Sequence, residues 1–453
     1  MKRNESVTVD IEENVSLTKS IAHIEGKKVL ISGGWEGQRA VVRIRKIRNN
    51  RIEADFREAE VKAPFETDGI CCDFGRCGGC NAGGITYEKQ LELKSGYVKG
   101  LFDKAGIAYG EFEDILPSPN IFAYRNKMEF SFGDEVKDGE LTLGMHEKGK
   151  HHSIVSVKNC SISPSDFNKI NEACENFFRE RKTFFFNKNT KEGFLRHLVL
   201  RHSVYENATL VNLVTTTAEQ LDNEAFVRML LSLELNGKIS GIMHTFNDSF
   251  ADAVIAQKTE LLYGRDYITE ALCGLKFKIT PFSFFQTNTL GAQQLYEKVR
   301  EYCGDTADKN IFDLYCGTGT IAQIVSEKAK KVYGIELVQE AAEAAAENAK
   351  LNEITNCEFI SGDVLKEVDE LSDKADIIVL DPPRAGINPK AAQKIIAFAP
   401  ETFIYVSCKA QSLVNDLPAF IEAGYAVEKV CPVDMFPHTE HVESVVLLTK
   451  VHN

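Results

Sequence analysis

Apolar and polar positions change period along the chain. Up to about residue 60 they largely alternate, as in VVRIRKIR and RIEADFR, the period of a half-buried strand. Val42 and Ile44 share one face, Arg43 and Arg45 the other, and Asn49-Asn50 predicts a hairpin turn. This region, 1–60, reads as a small antiparallel barrel. Tyr87–Lys104 then reads as a helix, with Leu91, Val98, Leu101 and Phe102 apolar. Across 61–280 alternation returns in KMEFSFG, ELTLGMH, HSIVSV, HLVLRHS and TLVNLVTTT, with a helix over Glu224–Leu235. An α+β central unit is predicted.

From 281 to 453 strands and helices take turns: NIFDLY, GTIAQIVSEKA, KVYGIE and QEAAEAAAENAKLN, then the strands CEFISGD, ADIIVLD, TFIYVSC and SVVLLTK. That order predicts a doubly wound, Rossmann-like α/β sheet. The fold class is therefore multidomain α/β.

Composition narrows the setting. The 453 residues are 43% hydrophobic and 26% charged. With no long apolar run, the expectation is a cytoplasmic protein without membrane contact. Thiols stay reduced there, so twelve cysteines argue for metal or catalysis rather than disulfides. The formal charge of −13 weighs against nonspecific nucleic-acid binding, although Arg39 to Arg51 holds six basic residues and no acidic one. Arg196-His197, Arg201-His202 and His151-His152 could touch phosphate, with solvated loop or strand faces the bland reading, and Phe184–Phe186 reads as core rather than a stacking platform.

Candidate chemistry clusters at strand ends. DLYCGTGT (313–320) follows a strand and opens a helix, where glycines such as Gly317 let backbone approach a ligand. Glu336 ends the next strand, where a carboxylate accepts ribose hydroxyls. Asp363 follows the third strand, at the place of an adenine. Asp381-Pro382-Pro383-Arg384 closes the fourth, and it favours S-adenosylmethionine over a dinucleotide. Cys408 ends TFIYVSC, beside Lys409, which could favour its thiolate. Glu443 arrives on the last strand. A thiol and a carboxylate beside a methyl donor suit uracil C5: the thiol adds to C6, C5 becomes nucleophilic, and the carboxylate removes the C5 proton. An iron–sulfur oxidoreductase binding a dinucleotide is the rival, but it leaves DPPR and the Cys408/Glu443 pair without a role.

The stretch ICCDFGRCGGC puts four cysteines into ten residues, two of them adjacent. Metal, disulfide and redox roles are open at this point.

With YRNK (124–127), SFFQTN (283–288), DLYCGTGT, GIE, DPPRAG, YVSC and FPHTEHVE, this spacing resembles the RNA uracil-5-methyltransferases of the RumA/TrmA type, over most of the chain. The resemblance implies Cys408 as nucleophile, Glu443 as base, and Gln286, Tyr315, Glu336 and Asp381 as contacts to S-adenosylmethionine. It implies a [4Fe–4S] cluster on Cys71, Cys77, Cys80 and Cys160, with zinc the nearest rival on the same thiolates. It also implies a degenerate TRAM-like, OB-type barrel at 1–60, and Arg125 and Lys127 as RNA contacts. Relatives with cluster and barrel mostly modify large-subunit rRNA, so 23S rRNA is the expected substrate, tRNA the alternative, and a monomer the expected state. The chain departs from the family pattern at Lys409-Ala410 and at Thr320.

Overall fold

The N-terminal alternation folds into one sheet in the computed structural model, which describes residues 1–48, 51–150, 152–250, 256–367, 371 and 373–452. Strands β1 (Ser6–Asp10), β2 (Glu13–Ser16), β3 (Lys19–Ile24), β4 (Lys27–Ser32), β5 (Arg39–Arg48) and β6 (Arg51–Val61) pair in the order β1-β5-β6-β4-β3-β2. Val42, Ile44, Ile52 and Ala54 are buried inside it. The β5–β6 register reaches Arg48↔Arg51; the expected turn at Asn49-Asn50 lies outside the described residues, as does His151. The basic face of β5 meets acids on β6: Arg45 pairs with Glu53 at 2.9 Å and Arg39 with Glu60 at 3.3 Å. That pairing reduces what the strand offers a phosphate.

Helix α1 (Tyr87–Ala105) starts where the Thr86 hydroxyl accepts from the Lys89 N–H, and it stops at Gly106, φ 67°. A two-residue strand, β7 (Glu111–Phe112), follows. Next come β8 (Lys127–Asp134), β9 (Leu141–His146), β10 (Ile154–Ser156), α2 (Ser165–Glu180), β11 (Leu195–Ser203), β12 (Ala208–Thr215), α3 (Asn223–Leu231), β13 (Lys238–Phe246) and β14 (Lys258–Gly264). Their strands form a seven-stranded sheet, β10-β9-β8-β11-β12-β13-β14. Helix α3 ends short of Leu235, where the Ser232 hydroxyl donates back to the Met229 carbonyl (2.7 Å).

Strand β11 is internal to this sheet, which corrects three readings. Arg196, His197 and Arg201 are buried, not solvated. Arg196 donates to the Asn247 and Ser249 carbonyls, and Arg201 to those of Pro281 and Ser283. Phe184 is not core: it is 72% exposed, while its neighbour Phe185 packs against the central cluster.

A hairpin of β15 (Ile268–Leu272) and β16 (Leu275–Ile279) leads into the alternating half. There lie α4 (Thr289–Cys303), β17 (Asn310–Leu314), α5 (Thr320–Val325), β18 (Lys331–Glu336), α6 (Gln339–Leu351), β19 (Cys357–Ser361), α7 (Val364–Glu367), β20 (Ile377–Leu380), α8 (Pro389–Ala397), β21 (Thr402–Ser407), α9 (Ala410–Glu422), β22 (Tyr425–Val433) and β23 (Glu443–Lys450). The sheet runs β19-β18-β17-β20-β21-β23-β22-β7. It is parallel from β19 to β21, and β23 lies antiparallel between β21 and β22. Both faces are covered, so alternate residues enter two cores: Phe312, Ile378 and Phe403 one, Ile311, Val379 and Ile404 the other. The expected boundary at 281 is crossed: β7 pairs with β22, and Val98 and Phe102 of α1 share a core with Leu413 and Phe420 of α9. Among the described residues, no helix is long and apolar enough to cross a membrane.

Candidate active site

Strand order reverses between β17 and β20, and such a switch point opens a crevice at the strands' C-terminal ends. The turn after β17 lines it with left-handed backbone at Tyr315, Gly317 and Gly319 (φ 70°, 55° and 71°). Gly319 has no room for a side chain, since a Cβ would lie 2.5 Å from the Phe359 ring and 2.7 Å from Ala345. At Gly317 nothing but the Phe284 ring edge comes within 4.0 Å, so this backbone stands open to the crevice. Glu336 accepts from the Gly317 N–H (3.0 Å) and the Val338 N–H (2.9 Å). Two backbone bonds fix the carboxylate, and each oxygen keeps a lone pair for a hydroxyl. Leu337, beside it, is 71% exposed. Burial pushes the Tyr315 phenol up, and the charge of Asp363, which follows β19, adds to it.

Below the turn lies a group of acids. Burial pushes the Asp381 carboxyl up to about 7. It pushes Asp313 up to about 8, with the charges of Asp381 and Glu336 adding to the shift. Asp313 Oδ2 accepts from the Ala322 N–H at 2.8 Å, tying β17 to α5. Gln286 reaches the same place. Its side chain lies near the hydroxyl of Tyr296, a buried α4 residue pushed up by burial and then by the charges of Asp381, Glu443 and Asp313. Sequence reasoning missed Tyr296, whose position in an amphipathic helix marks it only as core.

Strands β21 and β23 bring Cys408 and Glu443 together. Their register ends at Ser407↔Ser444, so the next positions outward are Cys408 and Glu443. Glu443 also pairs with Val433 on β22, and it is 4% exposed. Burial and the Asp381 charge push its carboxyl up to about 8, against the pull of Arg384. The Cys408 thiol is pushed up by burial, then by Glu443 and Asp381; Arg384 opposes this through its charge and a hydrogen bond. The cation at the thiol is thus Arg384 rather than the expected Lys409, whose backbone N–H bonds Ser407 Oγ (3.2 Å) at the start of α9. The DPPR motif held that signal.

Cys71, Cys77, Cys80 and Cys160 line one cavity with Met128, Met145, Val157 and Ile162. The Cys160 charge pushes the other three thiols up, behind burial in each case. The Gly79 N–H points at Cys77 Sγ (3.4 Å). Cys72 is exposed and turns to Asp73 instead. Among the described residues, no group of three or more His, Cys, Asp or Glu is drawn together tightly enough for a single metal ion. Four thiols around one apolar cavity are the donor type that thiolate-bound metal groups use.

Comparison with known proteins identifies the family. The family profile described as tRNA (uracil-5-)-methyltransferase matches residues 86–451. An uncharacterized RNA methyltransferase of Caldanaerobacter subterraneus is 47% identical over 99% of this chain and 100% of its own length. One from Clostridium tetani is 46% identical over 99% of each. The Pyrococcus abyssi tRNA (uracil-54, C5)-methyltransferase, solved with S-adenosyl-L-homocysteine, superposes with a TM-score of 0.77 at 26% identity, covering 98% of this chain and all of that one. The chain belongs to the RNA uracil-5-methyltransferase family.

As an S-adenosylmethionine-dependent RNA uracil-5-methyltransferase, it needs a path for RNA to the crevice. Arg125 and Lys127 sit where the central sheet meets the catalytic half. The Arg125 N–H bonds the Ile162 carbonyl (2.8 Å), and Asn126 Nδ2 donates to the Gln286 carbonyl (3.0 Å). Lys127 is paired with Glu129 at 2.5 Å, and its ammonium is pushed down by burial and Arg201. The charge of Arg125 reaches Cys80 on one side and His441 on the other. Of the two, Arg125 lies between the cysteine group and the loop before Glu443.

Proposed function

We propose that this methyltransferase acts on carbon 5 of a uridine in 23S rRNA, with Cys408 as nucleophile and Glu443 as general base. The observation that carries the reading is the register of β21 and β23, which sets a thiol and a raised, buried carboxyl side by side next to Asp381. Arg384 stabilises the Cys408 thiolate as it adds to C6 of an unstacked uracil, and the electron pair moves to C5. Bound S-adenosylmethionine supplies an electrophilic methyl group. Gly317, Tyr315, Glu336, Asp363, Asp381 and Gln286 are proposed to hold and aim that donor. Glu443 then takes the C5 proton, and the C6–S bond breaks to release Cys408.

The [4Fe–4S] cluster is proposed on Cys71, Cys77, Cys80 and Cys160, held apart from the chemistry. Four cysteine thiols on one apolar cavity support this reading, and zinc on the same thiolates is its rival. The choice of 23S rRNA rests on resemblance to members with cluster and barrel. Transfer RNA is the second reading, because the Pyrococcus abyssi protein acts on uracil 54 of tRNA. Mass spectrometry of 23S rRNA and tRNA from cells with and without the gene separates them. Loss of 5-methyluridine from tRNA alone overturns the ribosomal reading. RNA carrying 5-fluorouridine tests the chemistry: wild type should be trapped covalently, since fluorine cannot leave as a proton, and Cys408→Ala should not. Trapping by Cys408→Ala would refute the mechanism.

A further inference from the structure

Glu443 is the first residue of β23, and the loop before it, 434–442, is bound on every side. Asp434 at its start is buried and receives the ammonium of Lys94, 2.6 Å away; Lys94 also donates to the Phe436 carbonyl (3.0 Å). Pro437 accepts from the Tyr124 hydroxyl (2.9 Å), and Met435 from Asn288 Nδ2 (2.9 Å). His438 is the centre of the loop. It is buried with left-handed backbone (φ 66°), and its carbonyl accepts from the N–H groups of Asn81 and Ala82, just after Cys80.

Gln90, one turn before Lys94 on α1 and fully buried, grips both ends of His438. Its Oε1 accepts from the His438 N–H (2.8 Å), which assigns Nε2 as the amide nitrogen. Nε2 donates to the Ile85 carbonyl and approaches His438 Nδ1 at 3.1 Å. Nδ1 must therefore be the acceptor, and the imidazole is the neutral tautomer protonated at Nε2. Burial, which pushes His438 down, agrees. These are many buried polar contacts for one short loop, and together they fix where β23 begins.

We propose that Gln90 and Lys94 make α1 a positioning element for the general base, holding His438 and Asp434 so that Glu443 enters β23 opposite Cys408. The inference rests on the reading of Glu443 as base. It predicts a selective defect. Addition of Cys408 and methylation do not use Glu443, whereas removal of the C5 proton does. A displaced base should therefore slow release of the methylated RNA and spare the earlier steps.

The experiment compares Gln90→Leu with wild type in single turnover. With natural uridine, the variant should accumulate a covalent protein–RNA species and release product at least about tenfold more slowly, as expected for a base displaced by a fraction of an ångström. Trapping by 5-fluorouridine RNA, which needs no base, should stay within about twofold of wild type. Unchanged release, or equal loss of trapping and release, overturns the proposal. Glu443→Gln is the control: if it accumulates no adduct, the base assignment itself fails, whereas adduct in Glu443→Gln but not in Gln90→Leu sinks only the role of α1. Should Gln90→Leu not fold, hydrogen exchange on the wild-type protein still decides. The His438 amide should exchange as slowly as those of β23, and exchange typical of an open loop refutes the clamp.

Discussion

Ser407 and Ser444 face each other across β21 and β23, and the residues one step outward, Cys408 and Glu443, leave the sheet as neighbours on one edge. Backbone pairing of β21 with β23 sets the register, and the bound loop before Glu443 fixes where that pairing begins. Both are pushed toward their protonated forms, and Arg384 is the group that opposes this.

The pH dependence follows. Glu443 must be ionised to accept a proton, and its carboxyl lies at about 8. The rate of product release should rise with pH through that value and fall about tenfold per unit below it. Arg384→Met removes the opposing cation and should move the profile to higher pH. A single-turnover pH profile checks both, and a shift to lower pH in the variant would contradict the assignment.

Stability should run the other way. Asp313, Asp381 and Glu443 sit at about 8, 7 and 8, all raised above an ordinary carboxyl. Carboxyls with raised folded-state pKa stabilise fully below their unfolded value, about 4, and lose that contribution as pH climbs through the folded value. The melting temperature without ligand should decline between about pH 5 and 8.5, and Asp381→Asn should flatten the decline. A melting temperature that rises over this interval would rule out the cluster as described.

Gly319→Ala should destabilise the protein by about 1–3 kcal/mol, because the added Cβ meets Phe359 and Ala345 where φ is already positive. Thermal melts and titration with S-adenosylmethionine measure stability and donor binding, and both should fall. Near-normal values in both would show that the turn tolerates a side chain.

The buried Lys94–Asp434 pair should tolerate joint removal better than single removal. Lys94→Met alone leaves Asp434 without its cation and should cost roughly 3–5 kcal/mol. Adding Asp434→Leu should restore much of that in chemical denaturation. A double variant no better than the single one would argue that the pair's other bonds, such as Lys94 to the Phe436 carbonyl, matter more.

Among the cysteines, Cys160→Ser should lower bound iron and visible absorbance in anaerobically purified protein, and Cys72→Ser should leave both unchanged. Equal loss from the two would show that the shared cavity is not the site.

Much of this was legible in the sequence, for physical reasons. Strands β17, β18, β20 and β21 are buried on both faces and read as apolar runs, so the strand ends from Tyr315 to Cys408 could be placed by counting. Cys160 was found by resemblance, since nothing local links it to Cys71. Arg196, Arg201 and Phe184 were misjudged because exposure depends on strand order: a charged residue on an internal strand and a phenylalanine on a loop look alike in one dimension. Arg384 is hard to read as the cation at Cys408 because the two residues follow different strands, β20 and β21. The clamp on His438 joins residues far apart in the chain, |i−j| = 348 for Gln90.

Strand β7 carries a consequence for how the protein is made. Glu111 and Phe112 close the outer edge of the catalytic sheet, and nearby Glu113 and Lys429, 316 residues apart, form an ion pair. On the ribosome α1 and β7 emerge early, yet their partners β22 and α9 come near the end of synthesis. Until then Leu93 can pack on the earlier Leu17 and Ile85, but Val98 and Phe102 of α1 lack their partners and must be shielded or stay unstructured. A fragment starting at residue 281 would face the reverse problem, a sheet whose β22 edge is open to pairing with other chains.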